Sequence, residues 1–234
     1  MKLLIDIGNT FVKIGFFENN LLGKVAERLT MSAAIALLKN TTPETVVLCD
    51  VANKAAELLP YLPQNSAVQQ LSYQTKVPIQ NLYETPQTLG MDRLAAVLGA
   101  YHLFPNKNCL VIDAGSCITY DFLTATGSYL GGAISLGLQL RFRALHEYTA
   151  KLPLLQATDQ TLTPIGKNTT TAIQSGVIVG LTEEIKGFTR YYEQNFGELQ
   201  VIFCGGDAQF LAAQLPHSNA TVQPYLLLYG LATL

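Results

Sequence analysis

One pattern that occurs twice constrains this chain more than anything else in it. Leu4-Ile5-Asp6-Ile7-Gly8-Asn9-Thr10 opens the sequence, and Val111-Ile112-Asp113-Ala114-Gly115-Ser116-Cys117 repeats its plan 107 residues later. Each copy sets one carboxylate at the end of an apolar run, then a glycine, then small side chains that can hydrogen-bond. Each is followed by an alternating run, residues 11–17 and 118–123. Alternation on both sides of a short polar turn predicts a β-hairpin. A glycine-bearing turn leaves room for a phosphate chain, and an acid beside it can hold a cation. Two such hairpins, one per half, predict a duplicated fold that grips a nucleotide between its lobes.

The remaining periodicity is consistent with two similar halves. Strands are expected at 2–7, 11–17, 22–29, 45–51 and about 67–72, and helices at 31–39 and 54–60. Residues 73–89 carry no clear period. A helix over 92–103 follows, then strands at 109–113, 117–123 and about 128–134. A long helix over roughly 170–195 carries Ile173, Val177, Leu181, Ile185, Phe188 and Tyr192 at steps of three or four, a single buried stripe. A strand at 199–203 leads into Cys204-Gly205-Gly206-Asp207 and a short helix. Strands and helices in this order favour an α/β architecture with a central sheet in each lobe. The polar turn Pro105-Asn106-Lys107-Asn108 divides an N-terminal lobe, 1–107, from a C-terminal lobe, 108–234.

Composition removes several classes of function. With 49% hydrophobic and 14% charged residues over 234 positions, the chain can bury a substantial core and is not disordered. A net charge of −2 gives no reason to expect nucleic acid or an anionic membrane as partner. Asp6 interrupts the first apolar run, which therefore reads as a buried strand and not a signal peptide. No run approaches the ~20 apolar residues of a membrane span. Cys49, Cys109, Cys117 and Cys204 form no CxxC or Cys/His cluster, and are expected as buried, reduced thiols of a cytoplasmic protein. His102, His146 and His217 lack metal-ligand spacing and receive no role.

The chemistry concentrates around Asp6, Gly8, Asn9, Thr10 and Lys13. Turn amides, helped by Asn9 and Thr10, can donate to phosphate oxygens. A carboxylate beside phosphates repels them unless a divalent cation lies between, so Asp6 suits hydrated magnesium. Lys13 can supply charge to the β or γ phosphate. The plain alternative is a hairpin in which Asp6 and Asn9 only satisfy turn geometry. Asp92, in Gly90-Met91-Asp92-Arg93, is placed at a helix N-terminus, either as a cap or as acceptor of a substrate hydroxyl proton. Phosphoryl transfer tolerates such a weak base, because its loose transition state needs alignment more than prior deprotonation. Tyr83, Pro86 and Thr169-Thr170-Thr171 offer hydroxyls and a rigid bend near a substrate, although Thr169 can equally cap the long helix. Gly205 and Gly206 either allow an adenine or ribose to approach the backbone or only turn the chain from strand to helix. Gly166-Lys167-Asn168 lacks the hydroxyl and the first glycine of a Walker loop.

Taken together, Asp6 to Lys13, Gly90 to Arg93, Asp113 to Ser116, Gly166 to Thr169 and Cys204 to Asp207 resemble the type III pantothenate kinase family over essentially the whole chain. The resemblance implies an acetate/sugar kinase–Hsp70–actin type fold, two ribonuclease-H-like lobes with a nucleotide cleft between them, and a homodimer. It implies ATP-dependent phosphorylation of the primary hydroxyl of pantothenate, the first step toward coenzyme A. Carried over by position, Asp6, Ile7, Gly8, Asn9, Thr10, Phe11, Val12 and Lys13 hold the ATP phosphates, and Ser116 also faces ATP. Asp113 helps bind potassium or ammonium. Tyr83, Gly90, Met91, Asp92, Arg93 and Thr169 surround pantothenate, with Asp92 as proton acceptor and Arg93 as a countercharge. Ser116 departs from the family's usual threonine but keeps the hydroxyl, and Met91 occupies a variable position. The rival readings are a non-catalytic nucleotide-binding accessory factor and a kinase for another small hydroxylated substrate.

Overall fold

A computed structural model describes residues 1–215 and 220–234; His217 lies outside the described residues. The chain forms two compact units, the first from residues 1–106, 127–129 and 225–234, the second from 107–126 and 130–224.

In the first unit, β1 (Lys2–Ile7), β2 (Val12–Glu18) and β3 (Leu21–Leu29) form an antiparallel meander. After α1 (Met31–Leu38), β4 (Thr45–Asp50) pairs parallel to β1. Helix α2 (Ala55–Leu58) passes into a single 3-10 turn at Leu59–Tyr61, because Pro60 has no amide to continue the α-helical ladder. β5 (Ala67–Gln70) completes the order β3-β2-β1-β4-β5. Leu3, Ile5, Ile7, Val12 and Ile14 point to one face and pack against Ala34, Leu38, Ala55 and Leu58. The strand period of two therefore sends Leu4, Asp6, Lys13 and Gly15 to the opposite face. The segment without a sequence period holds only β6 (Gln80–Asn81) and a 3-10 turn at Pro86–Thr88 before α3 (Met91–Leu103).

The second unit opens with β7 (Asn108–Ala114), β8 (Cys117–Leu123) and β9 (Ser128–Leu136); the first two residues of β9 belong to the first unit and pair there with β6. Helices α4 (Leu138–Glu147) and α5 (Thr169–Phe196) follow, then β10 (Leu199–Cys204), α6 (Ala208–Ala213) and β11 (Thr221–Val222). Strands β9-β8-β7-β10-β11 lie in that order, with β7 antiparallel to β8 and parallel to β10. These five strands repeat the order of the first sheet, with β6 added as a sixth beyond β9. Leu110, Ile112, Ile118, Tyr120 and Phe122 pack against Ile173, Val177, Leu181 and Ile185 of α5, so the expected stripe is the buried one. Its aromatic end stacks as well: Tyr120 on Phe188 at 4.2 Å and Phe122 on Tyr192 at 4.6 Å between ring centroids.

Helix α7 (Leu226–Ala232) returns to the first unit and lies along α3. Two glycines make the approach possible: a Cβ on Gly99 would collide with the Leu226 carbonyl, and one on Gly230 with the Ala95 carbonyl. A Cβ on Gly15 of β2 would in turn meet Leu228. Helices α3 and α7 thus roof the sheet face that carries Asp6.

Candidate active site

In the first unit Asp6 is the last polar residue of β1 and sits directly across from Lys13 in β2 and Cys49 in β4. The turn between β1 and β2 closes with the Gly8 amide donating to the Phe11 carbonyl at 3.1 Å, leaving Asn9, Thr10 and Phe11 exposed. Burial lifts the Asp6 carboxyl from 3.8 to about 6, against the pull of Lys13, and Asp92 raises it further. The strand end and the start of α3 therefore share one electrostatic neighbourhood. Asp6 and Asp92 offer carboxylate oxygens of the kind a hydrated divalent cation takes, with the charges of Lys13 and Arg93 beside them. Burial, then Asp6 and Asp92, also push the Cys49 thiol well above its usual range.

Asp92 is not the cap of α3. Gly90 holds the cap position, and the Asp92 carboxylate folds back to accept the Arg93 amide at 2.8 Å. Arg93 is 6% exposed. Its guanidinium lies 5.5 Å from the centroid of Tyr83, and Tyr83 stacks on the fully buried Tyr129. The segment bearing Tyr83 is fixed by backbone bonds from Gln80 to Gly127 and from Leu82 to Tyr129, at 2.8 and 3.0 Å. Lys13 lies 5.6 Å from the centroid of Tyr225. Asp6, Lys13, Tyr83, Asp92 and Arg93 all belong to this unit.

In the second unit Asp113 is the counterpart of Asp6, opposite Thr119 in β8 and Cys204 in β10. The turn is shorter than its counterpart, only Gly115 and Ser116, with the Gly115 amide donating to the Cys117 carbonyl at 3.0 Å. Among the described residues, Thr119 Oγ1 is buried without a hydrogen-bond partner. An orphaned hydroxyl directly across from a carboxylate suits a monovalent cation, which binds oxygen donors without a full set of charged ligands. No group of three His, Cys, Asp or Glu able to hold a metal occurs among the described residues. Gly205 adopts φ +89°, and a Cβ there would strike Asp113 Oδ1 and the Ala114 carbonyl. The Asp207 amide donates to that carbonyl at 2.9 Å, so the Gly205-Gly206 turn is pinned against the end of β7.

Thr169 is the first residue of α5, but it does not cap it. Asn168 does, in a reciprocal capping box with Thr171, which leaves the Thr169 hydroxyl at an exposed helix N-terminus. Of the four cysteines three are buried, while Cys117 begins β8 on its exposed side, since the two-residue turn ends there. Thr119, Tyr129 and Cys49 were not singled out by the sequence reading. Each belongs to the site through a strand pairing or ring stack distant in the chain, and only Thr119 had a local signal, its place within the second hairpin.

The family model described as type III pantothenate kinase matches residues 2–191. A type III pantothenate kinase from Christiangramia forsetii is 40% identical over 231 residues, 97% of this chain and 95% of its own. Among solved structures, a conserved Campylobacter jejuni protein assigned to the Baf family of transcriptional activators matches with TM-score 0.67 and 25% identity, over 98% of this chain and 95% of that one. The Clostridium difficile activator of 2-hydroxyisocaproyl-CoA dehydratase, solved with bound ADPNP, matches with TM-score 0.55 and 13% identity, over 99% and 92%. The shared fold is of the acetate/sugar kinase–Hsp70–actin type.

Proposed function

The chain belongs to the type III pantothenate kinase family and is an ATP-dependent pantothenate kinase, and from that premise we infer how its residues divide the work. The γ-phosphoryl group of ATP passes to the primary hydroxyl of pantothenate, giving 4′-phosphopantothenate and ADP at the start of coenzyme A synthesis. Neither rival reading, a non-catalytic factor or a kinase for another acceptor, finds support in the family match.

Asp6, Ile7, Gly8, Asn9, Thr10, Phe11, Val12 and Lys13 take the phosphates: turn amides donate to oxygens, Lys13 offsets their charge, and ionised Asp6 holds the magnesium that enters with ATP. Ser116 donates its hydroxyl to the nucleotide from the second hairpin. Tyr83, Gly90, Met91, Asp92, Arg93 and Thr169 surround pantothenate. As the substrate oxygen bonds to phosphorus and the bond to the bridging oxygen of ADP breaks, the hydroxyl proton passes to Asp92. Asp113, with Thr119 opposite, would hold potassium or ammonium. The protein works in the cytoplasm as a homodimer that uses the exposed edge of α5 marked by Gly176, Gly180 and Gly187. A monomer at micromolar concentration in sedimentation would remove that dimer.

The observation that most supports this division is that Asp6 and Lys13 pair on one sheet face and that Asp92, in the first turn of α3, acts electrostatically on Asp6. Asp92→Asn tests it by ADP release, with and without pantothenate and with potassium or sodium. Turnover is expected to fall about a hundredfold or more, with ATP binding kept. Near-normal turnover would take the acceptor role away from Asp92.

A further inference from the structure

Arg141 carries none of the roles assigned above, yet its guanidinium joins three elements of the second unit. Nε donates to the Leu136 carbonyl at 2.8 Å, and Nη2 donates to Ser135 Oγ at 2.9 Å and to Glu184 Oε2 at 2.7 Å. The other oxygen of Glu184 accepts from the hydroxyl of the fully buried Tyr120 at 2.9 Å. Burial and the Glu184 carboxylate hold that phenol firmly protonated, so it remains a donor. Arg141 and Glu184 are only 18% and 25% exposed. A largely buried ion pair is a poor source of net stability, because desolvation offsets much of its attraction. What it does supply is a fixed geometry.

The part held in place is the bend at Gly137. Its carbonyl accepts the Arg141 amide at 3.0 Å, and its own amide donates to the Ser116 carbonyl at 3.1 Å. A Cβ on Gly137 would collide with the carbonyls of Gly115 and Ser116, so backbone rests directly on backbone. The two-residue hairpin turn thus takes its position from the start of α4, and α4 takes its own from Arg141.

We propose that Arg141 is a positioning residue for the nucleotide: through Ser135, Leu136 and Glu184 it holds the Gly137 bend, and that bend sets where Ser116 presents its hydroxyl. This rests on the reading that Ser116 meets ATP. The planar fork of arginine serves acceptors in several directions at once. A lysine can reach Glu184 but cannot also serve Leu136 and Ser135, so Arg141→Lys is not conservative here.

Initial rates of ADP release, with ATP and pantothenate varied separately, test the proposal in Arg141→Ala, Arg141→Lys, Glu184→Gln and Ser116→Ala. Arg141→Ala is expected to raise the KM for ATP about tenfold while the KM for pantothenate stays within about twofold. Arg141→Lys and Glu184→Gln should shift the same parameter less, and they carry the comparison if Arg141→Ala does not fold. Low-millimolar guanidinium chloride should restore the KM for ATP of Arg141→Ala, and sodium chloride should not. Equal losses for both substrates, or a lower melting temperature with both KM values unchanged, would reduce Arg141 to a brace for α4. If Ser116→Ala raises the KM for ATP and the Arg141 variants do not, only the link between them falls. If Ser116→Ala leaves it unchanged, the Ser116 reading falls and takes this proposal with it.

Discussion

At Asp6, a carboxyl that ionises at 3.8 in the free chain is carried to about 6 by burial under α3 and by Asp92 nearby. Folding therefore favours its protonated form. The penalty is absent below 3.8, grows as pH rises toward 6, and is complete above it. It amounts to at most about 3 kcal/mol, less the screening that partial exposure allows. Asp6→Asn removes the ionisable group, so it should raise the melting temperature at pH 8 by several degrees while leaving pH 4 nearly unchanged. The same variant should lose phosphoryl transfer. Thermal melts at both values check this, and identical gains at pH 4 and pH 8 would contradict it. Asp6, Lys13 and Asp92 were all legible as candidates, because each has a local signal at a strand end, in a hairpin or at a helix start. Cys49 was not, because β4 brings it to Asp6 through a pairing that no local pattern encodes; Thr119 lay in the expected second hairpin, but only the register set it across from Asp113.

Among elements, α5 shows how far periodicity reaches. Its stripe named the buried face, since consistent spacing over about five turns, from Ile173 to Tyr192, leaves no competing register. Its start was ambiguous between a capping and a substrate role for Thr169, and the capping box of Asn168 and Thr171 separates the two. Asn168→Ala should cost about 1 kcal/mol and lower the melting temperature with little change in KM. Thr169→Ala should leave stability in place and raise the KM for pantothenate. Calorimetry and initial rates on both variants decide it, and a swapped outcome would return Thr169 to a structural role. Helix α4 escaped the sequence reading because it buries only Leu138 and Phe142, too narrow a stripe to stand out. Strand β6 escaped because two residues carry no period at all.

For the molecule as a whole, the two sheets share one strand order, so the repeated cassette marked a duplication of architecture and not only of a motif. The last ten residues are the instructive exception. In the sequence they are an apolar run too short to cross a membrane; in the structure α7 fills the roof of the first unit, against α3 and β1. Ending the chain before Tyr225 should expose Ala95, Gly99 and His102 of α3 and cost far more than the loss of a terminal helix usually does. Limited proteolysis and circular dichroism should report a first unit that no longer folds cooperatively. A truncated protein with native-like melting would refute the roof.

By itself the sequence determined most of the strands and the longer helices, the faces they bury and the acids that end the two hairpins. These follow from spacing within a few residues, where backbone geometry leaves one answer. Only the tertiary structure decided that Asp92 shares the field of Asp6, that Gly137 carries the Ser116 turn and that α7 lies along α3. Those outcomes depend on close approaches between segments up to about 135 residues apart, made in part where Gly99, Gly137 and Gly230 let backbone meet backbone.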